Sequence, residues 1–352
     1  MSKFDPYEHL NISPNPDGTL TRLTNVPVVP TTLDEDSGVV AVSKDLPLNP
    51  EKKTWVRLFR PTKLPSNDNE VARIPIILYF HGGGWFRFQA SDPVVHERGT
   101  HFASQTPAIC VSVNFRLAPE ARLPAQYEDA VEALLWIKKQ ALDPNGEKWL
   151  RDYGDFSRTY LYGCSNGANI TFNLGLRSLD MDLEPLKIGG LVINQPMFSG
   201  IQRTKSELRF AADQLLPLPV LDLMWELALP KGADRNHRYC NPMVDGHHLK
   251  LLPRLYRCLV IGYGGDPMID RQQDFVQMLV LNGVMVEARF DDVGFHGIDL
   301  VDPRRSAVVM NMVKEFIWSA PAKWYQYVDN GSLVWNLKHF FSFFFFSFFL
   351  SN

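Results

Sequence analysis

Short, strongly apolar runs alternate with helical stretches along most of this chain, from about residue 54 to residue 318. The runs are rich in β-branched and aliphatic residues, and the middle ones are apolar throughout, which is typical of buried parallel strands. We predict strands at residues 54–61, 74–80, 108–115, 158–163, 188–196, 258–264 and 286–292. Because strands that alternate with helices form βαβ units, the sequence predicts an α/β fold with a doubly wound, mostly parallel sheet.

Helical patterns lie between these runs. Residues 123–141 have Pro124 near the first turn, with acidic residues early and lysines late, as the helix dipole favours. Residues 271–283 end on Gly283, a residue typical of the position just beyond a helix. Residues 303–318 are amphipathic, so we predict that they form the last helix.

Three segments depart from the alternation. Residues 1–50 are rich in Pro, Asn, Asp and Thr, and we expect them to be irregular. Residues 200–247 are rich in Pro, Leu and charge, with a helical piece at 219–229, and we interpret them as an insertion over the strand ends. The third is a Phe-rich tail, residues 321–352, which we place outside the fold. Residues 1–320, including the first two segments, are predicted to form one domain.

Charge and cysteine content narrow the function classes. The formal net charge of −3 gives no electrostatic case for a nucleic-acid or anionic membrane partner. The four cysteines lack the close spacing of metal or redox motifs, and the N-terminal residues have no apolar signal segment. The continuous part of the Phe-rich tail is shorter than the roughly 20 residues that span a bilayer. We therefore expect a cytoplasmic protein with reduced thiols, no nucleic-acid partner and no membrane span.

The segment GCSNGAN, residues 163–169, places Ser165 between Gly163 and Gly167, where a predicted strand passes into a helix. Strand, tight turn and helix are the context of a nucleophile elbow, in which small residues allow a strained turn. On this motif alone, a serine that caps a helix at a glycine-rich turn stays an open alternative. Cys164 is interpreted as a packed small side chain and not as the nucleophile.

The segment HGGGW, residues 81–85, follows another apolar run, and its loop motif comprises His81, Gly82, Gly83 and Gly84. Consecutive glycines after a buried strand predict a loop whose backbone approaches a ligand closely. Acyl transfer needs preorganised N–H donors for a developing oxyanion, and such a loop supplies them. The candidate donors are the backbone amides of Gly83, Gly84 and Asn166.

An acid and a histidine follow the serine in chain order. Asp266 directly follows an apolar run and a Gly-Gly turn, so we prefer it to Asp270, which begins the next helix. His296 lies between the last predicted strand and the last helix, and it is the one histidine between Asp266 and the tail. This order predicts a catalytic triad of Ser165, Asp266 and His296, a mechanism that requires no metal and no cofactor.

The chain resembles the plant carboxylesterases of the hormone-sensitive-lipase-like group of α/β-hydrolases. The resemblance covers roughly residues 5–318 and rests on YFHGGGW, NFRLAPEARLPAQYEDAVEALLWI, GCSNGAN, GGDPMIDRQ and GFHGIDL. It implies an α/β-hydrolase fold, the same triad, an oxyanion hole in the HGGG loop and a small ester as partner. It also implies that residues 1–30 and 200–247 form a lid over the substrate pocket.

Departures from the family pattern bear on the substrate. Cys164 and Asn166 stand where the family usually has an acidic residue and an alanine, and Asn166 adds a polar side chain near the oxyanion. Candidate pocket residues are Trp85, Phe86, Met224 and Trp225. Small carboxylic esters of plant metabolites are the first expectation for the substrate.

Two alternatives stay open at this point. Some relatives with a Cys-containing elbow resemble alkaloid-pathway enzymes that remove acetyl or methyl ester groups, with or without decarboxylation or rearrangement. The other alternative is a gibberellin-receptor-like binding protein, against which the presence of His296 argues. The sequence leaves monomer and homodimer equally open.

Overall fold

The computed structural model describes residues 4–67, 70–319, 327–329 and 332–334. The chain divides into two compact units, Met1–Ile317 and Trp318–Asn352. In the second unit, strand β13 (Tyr327–Asp329) pairs antiparallel with β14 (Ser332–Val334). The rest of the predicted tail, including its run of phenylalanines, lies outside the described residues.

The described strands of the first unit are β1 (Ile12–Pro14), β2 (Leu20–Arg22), β3 (Ala41–Asn49), β4 (Thr54–Pro61), β5 (Ser66–Asn67), β6 (Glu70–Val71), β7 (Ile74–Phe80), β8 (Ile109–Asn114), β9 (Gly154–Cys164), β10 (Ile188–Asn194), β11 (Cys258–Tyr263) and β12 (Val286–Asp291). The described helices are α1 (Pro6–His9), α2 (Pro93–Gln105), α3 (Ala125–Leu142), α4 (Lys148–Tyr153), α5 (Asn166–Ser178), α6 (Lys205–Arg209), α7 (Leu218–Ala228), α8 (Ile269–Leu281), α9 (Ile298–Val301) and α10 (Pro303–Trp318). Two 3₁₀ helices, Glu35–Ser37 and His247–Arg254, complete the described elements.

Within the described residues, the main sheet has eight strands in the order β12-β11-β10-β9-β7-β8-β4-β3. The six strands from β12 to β8 are mutually parallel, and near the other edge β4 runs antiparallel to both of its neighbours, β8 and β3. Helices α3, α5 and α8 pack on one face and α2 and α10 on the other. The prediction of a doubly wound, mostly parallel α/β fold is therefore confirmed.

The continuous apolar runs arise because both faces of the central strands are covered. In β7, Ile76, Leu78 and Phe80 enter one core, while Ile77 and Tyr79 enter the core on the opposite face. Successive side chains of a strand point to opposite faces, so a strand between two helical layers needs an apolar residue at every position. The carboxyl ends of these parallel strands meet at one edge, where loops carry polar residues.

The expectation that residues 1–50 are irregular is wrong for β3, which pairs along its length with β4. An edge strand has one unpaired side and is exposed to water, so it tolerates polar residues and proline. β3 therefore contains Lys44, Asp45 and Pro47. These residues interrupt the apolar pattern by which a strand is predicted from sequence. In the ranges that the structure describes, no helix is long and apolar enough to cross a membrane.

Candidate active site

The turn between β9 and α5 forces Ser165 into a backbone conformation that non-glycine residues rarely adopt, with φ of 55° and ψ of −123°. A Cβ atom on Gly163 would lie 2.0 Å from the Gly167 carbonyl oxygen, and one on Gly167 would lie 2.1 Å from the Phe80 carbonyl oxygen. Both positions therefore require glycine. The Ser165 amide donates to the Asn194 carbonyl oxygen at 3.0 Å, which fixes the turn to the neighbouring strand β10.

The Ser165 hydroxyl makes no helix-capping hydrogen bond. Its Oγ lies 3.0 Å from His296 Nε2, and His296 Nδ1 lies 2.6 Å from Asp266 Oδ2. Asp266 is fully buried, and it also accepts from the Met268 amide at 2.9 Å and from Gln272 Nε2 at 2.8 Å. Because Nδ1 donates to a carboxylate, Nε2 is free to accept the serine proton.

The two candidate acids contact different parts of the chain. Asp266 lies at the carboxyl end of β11 and reaches His296. Asp270 lies in the first turn of α8, where its Oδ2 accepts from the Ser206 amide of α6 at 2.8 Å. Asp270 therefore holds the insertion against α8, while Asp266 faces the histidine.

The HGGG loop crosses the elbow with three consecutive residues in the left-handed region: Gly83 at φ 118°, Gly84 at 63° and Trp85 at 80°. A Cβ atom on Gly83 would meet the Arg87 carbonyl oxygen at 2.4 Å, and one on Gly84 would meet Met224 Sδ at 2.7 Å. The loop thus depends on the absence of side chains. The Gly84 amide donates to Asn166 Oδ1 at 2.9 Å.

A family model described as the alpha/beta hydrolase fold matches residues 77–300, which include the HGGG loop, the elbow, the acid and the histidine. The chain belongs to the α/β-hydrolase family. Among solved structures, this α/β-hydrolase is similar to the esterase LipW from Mycobacterium marinum, with a TM-score of 0.66 and 24% sequence identity. That comparison covers 80% of this chain and 83% of LipW, and it shows the fold alone.

Curated plant proteins are more similar in sequence. The chain is 56% identical to "Probable carboxylesterase 9" from Arabidopsis thaliana, over 89% of this chain and 97% of that protein. It is 45% identical to a 3-O-acetylpapaveroxine carboxylesterase from Papaver somniferum, again over 89% of this chain and 97% of the relative. The resemblance to the plant carboxylesterases is therefore confirmed, and this α/β-hydrolase is a member of that group.

The electrostatic surroundings of His296 favour its protonated form. Burial by itself lowers the pKa of the imidazole. The charge and hydrogen bond of Asp266, with smaller contributions from Asp299 and Asp213, outweigh burial and raise the pKa above its ordinary value. The same acids therefore stabilise an imidazolium whenever the histidine takes a proton.

A pH profile tests this description of His296. Only neutral imidazole can accept the serine proton, so kcat/KM should fall as the pH is lowered through the raised pKa, with a midpoint above about 6.5. Asp266→Asn removes the raising charge and should move this midpoint downward. Initial rates at sub-saturating ester across the acid range measure both profiles. A wild-type midpoint below about 6.5 would contradict the description.

Two neighbours of the elbow are held uncharged by burial. Burial lowers the pKa of His81 to about 4, and its Nδ1 donates to the Gly82 carbonyl oxygen at 2.7 Å while its ring stacks on Phe115. Burial raises the pKa of Cys164 to about 11, so its thiol stays protonated at neutral pH. In the described part of the chain, no group of three or more His, Cys, Asp or Glu residues could hold a metal ion.

The four candidate pocket residues lie close to the HGGG loop. Met224 of α7 contacts the loop at Gly84. The rings of Trp85, Phe86 and Trp225 are fully buried in the apolar core, and the two indole rings lie 5.5 Å apart. The structure thus places one flexible thioether and an aromatic cluster next to the HGGG loop.

Sequence reasoning missed two polar residues at the end of β10, Asn194 and Gln195, which we call the polar bracket because they connect the serine turn to the histidine loop. The Asn194 carbonyl oxygen holds the Ser165 amide. Next to it, Gln195 Oε1 accepts from the Gly297 amide at 2.8 Å, directly after the catalytic histidine candidate. One dipeptide thus holds the serine turn and the histidine loop together. The polar pair Asn-Gln at the end of an otherwise apolar strand, at the edge that carries Ser165, was the available signal.

A buried ion pair supports this bracket. Asp299 accepts from Arg98 Nη2 at 2.8 Å, from Asn194 Nδ2 at 3.0 Å and from Gln195 Nε2 at 2.9 Å. The Arg98 and Asp299 side chains are 2% and 1% exposed. Arg98 and Asp299 are far apart in sequence, and no local pattern links them.

We expect Asp299→Ala to reduce the free energy of unfolding by about 3–5 kcal/mol, because it leaves the Arg98 guanidinium buried and uncompensated. Urea denaturation followed by tryptophan fluorescence measures the change. The matched control is Asp180→Ala, which breaks a pair with Arg254 whose partners are 70% and 54% exposed. The control should unfold like the wild type. Equal losses in both variants would show that the Arg98–Asp299 ion pair adds no more stability than an exposed pair.

Proposed function

We propose that this carboxylic ester hydrolase is a serine carboxylesterase with Ser165 as nucleophile, His296 as general base and acid, and Asp266 as the residue that orients the imidazole. One observation carries the proposal: a continuous chain of hydrogen bonds runs from Asp266 through His296 to Ser165, at 2.6 and 3.0 Å. A helix-capping serine would bond to backbone amides of its own helix, which Ser165 does not do.

In the first half-reaction, Ser165 Oγ attacks the ester carbonyl carbon while His296 Nε2 takes the hydroxyl proton. The carbonyl oxygen becomes an oxyanion, which accepts from backbone amides of the HGGG loop and of Asn166. The bond to the leaving alcohol then breaks, and His296 returns its proton to the alcohol oxygen. The product of this half-reaction is an acyl ester on Ser165.

In the second half-reaction, a water molecule attacks the acyl carbon and His296 Nε2 takes its proton. A second oxyanion forms in the same site. When it collapses, the bond between the acyl carbon and Ser165 Oγ breaks, and the proton returns to the serine oxygen. The carboxylic acid leaves, and the enzyme is restored.

We propose small carboxylic esters of plant metabolites as the substrates. Met224 contacts the loop at Gly84 and the buried aromatic cluster lies next to it, so we expect these side chains to restrict the acyl group to a short chain. The 3-O-acetylpapaveroxine carboxylesterase is named for an acetyl ester, and its 45% identity to this chain favours the removal of acetyl groups from specialised metabolites such as alkaloids as a second candidate function.

A series of p-nitrophenyl esters from acetate to dodecanoate tests the acyl preference. We expect kcat/KM to be highest for acetate or butyrate and to fall with chain length. Acetylated and methylated plant metabolites with the preferred acyl group then test the alcohol side. A profile that rises toward dodecanoate would contradict the short-acyl proposal.

The N-terminal residues 1–30 are proposed as one part of a lid. Arg22 anchors this segment to the loop that follows the HGGG motif: its Nε donates to the Phe86 carbonyl oxygen at 2.6 Å, and its Nη2 donates to that of Ala118 at 3.0 Å. These contacts support a fixed attachment beside the substrate pocket.

Residues 200–247 are proposed as the other part of the lid, since Met224 of α7 reaches Gly84. Residues 1–320 would then form a single domain that carries both lid parts, with residues 321–352 outside it. We propose a cytoplasmic enzyme, a monomer or homodimer without a nucleic-acid partner. The four cysteines are free thiols, which supports a reducing compartment.

A further inference from the structure

Asn166 takes part in the oxyanion site twice. Its backbone amide follows Ser165 directly and is one of the three candidate donors. Its side chain, in a residue only 1% exposed, accepts from a second candidate donor: Oδ1 lies 2.9 Å from the Gly84 amide nitrogen. The carboxamide therefore connects the elbow to the glycine loop at the point where negative charge would develop.

This contact competes with a substrate. An N–H group donates well to one acceptor at about 2.9 Å, and Asn166 Oδ1 already occupies that place on the Gly84 amide. In the described part of the chain, no such partner is found for the amides of Gly83 and Asn166. Two of the three candidate donors are thus available to an oxyanion.

Displacing the carboxamide would bring no net gain. The Gly84 amide is buried beneath Met224, and a buried polar group needs a partner. If an oxyanion took the Gly84 N–H, Asn166 Oδ1 would be left buried without a donor, and that loss opposes the new bond. The Asn166 side chain therefore weakens the use of the third donor whether it stays or moves.

We propose that Asn166 is a positioning residue that limits the oxyanion site to two backbone donors, Gly83 and Asn166, by holding the Gly84 amide with its side chain. This inference rests on the proposed serine esterase function. A site with two donors favours esters whose leaving group is acidic, such as phenyl and enol esters, because their transition states place less charge on the carbonyl oxygen. Alkyl esters with poor leaving groups need the third donor more.

The test compares kcat, KM and the inhibition constant of a trifluoromethyl ketone, which forms a tetrahedral oxyanion on the serine. In Asn166→Ala the Gly84 amide is released. We expect kcat for an alkyl acetate to rise roughly 10-fold with KM little changed, and the inhibition constant to fall by a similar factor. For phenyl acetate the rise should be smaller. Asn166→Asp keeps the acceptor but adds a negative charge, so both kcat and inhibitor affinity should fall.

Asn173→Ala is the matched control, since it removes a buried carboxamide two turns along the same helix that bonds to Asn169 and not to the loop. It should keep wild-type kinetics. Asn166→Ser is too short to reach Gly84 and serves if the alanine variant does not fold. Unchanged or lower kcat and inhibitor affinity in the soluble variant would overturn the inference. Ser165→Ala separates the two claims, because retained activity there would overturn the esterase mechanism itself.

Discussion

Ser165→Ala is expected to lower kcat for ester hydrolysis by about 10⁶-fold. The elbow places this one hydroxyl 3.0 Å from His296 Nε2, and an alanine there offers no oxygen to form the acyl intermediate. Substrate binding uses other residues, so the affinity for a non-hydrolysable ester analogue should be retained. Initial-rate kinetics with p-nitrophenyl acetate measures the loss.

The matched control is Ser178→Ala, at the other end of the same helix. Its hydroxyl donates to the Gly175 carbonyl oxygen of the same helix at 2.9 Å, which is a structural contact. Wild-type turnover in this variant would show that loss of a buried serine from α5 is not itself harmful. Retained turnover in Ser165→Ala would contradict the assignment of Ser165 as the nucleophile.

Asp266→Asn is expected to lower kcat by about 10⁴-fold. The carboxylate accepts from three donors: the Met268 amide, Gln272 Nε2 and His296 Nδ1. A carboxamide has one oxygen, so its NH₂ group must face at least one of these donors. When it faces His296, Nδ1 becomes the acceptor and Nε2 carries the proton, and this tautomer cannot act as the base.

Asp270→Asn is the comparison for this acid, because it makes the same chemical change four residues further along the chain. Asp270 bonds to the Ser206 amide, so its variant should keep a kcat within a few-fold of the wild type. The ratio of the two kcat values decides the assignment. A larger loss in Asp270→Asn would show that the wrong acid was chosen.

Local patterns predicted much of this molecule because its central strands and turns are constrained locally. The strand at residues 74–80 and the last helix at residues 303–318 have the predicted bounds, since continuous burial and amphipathic periodicity leave few alternatives. The elbow could be predicted equally well from Gly163 and Gly167, because a Cβ atom at either position would meet a backbone oxygen at about 2 Å. The order of the motifs then predicted the triad, and the resemblance to the plant carboxylesterases implied the α/β-hydrolase fold.

Contacts between distant parts of the chain could not be read in the same way. The ion pair of Arg98 and Asp299 joins residues 201 positions apart, and neither residue has a local pattern that points to the other. The contact of Asn166 with Gly84 depends on how the glycine loop crosses the elbow. The polar edge strand β3 was missed for a different reason, since exposure to water removes the apolar pattern on which strand prediction depends.

Reaction with an organophosphonate, followed by mass spectrometry of the intact protein and of its peptides, tests the central claim most directly. A serine activated by His296 attacks the phosphorus atom, so we predict one phosphonyl group per chain, on Ser165. Labelling should slow as the pH falls through the raised pKa of His296 and should be absent in Ser165→Ala. An unmodified wild-type protein, as expected of a binding protein without an activated serine, or a label on another residue would contradict the account.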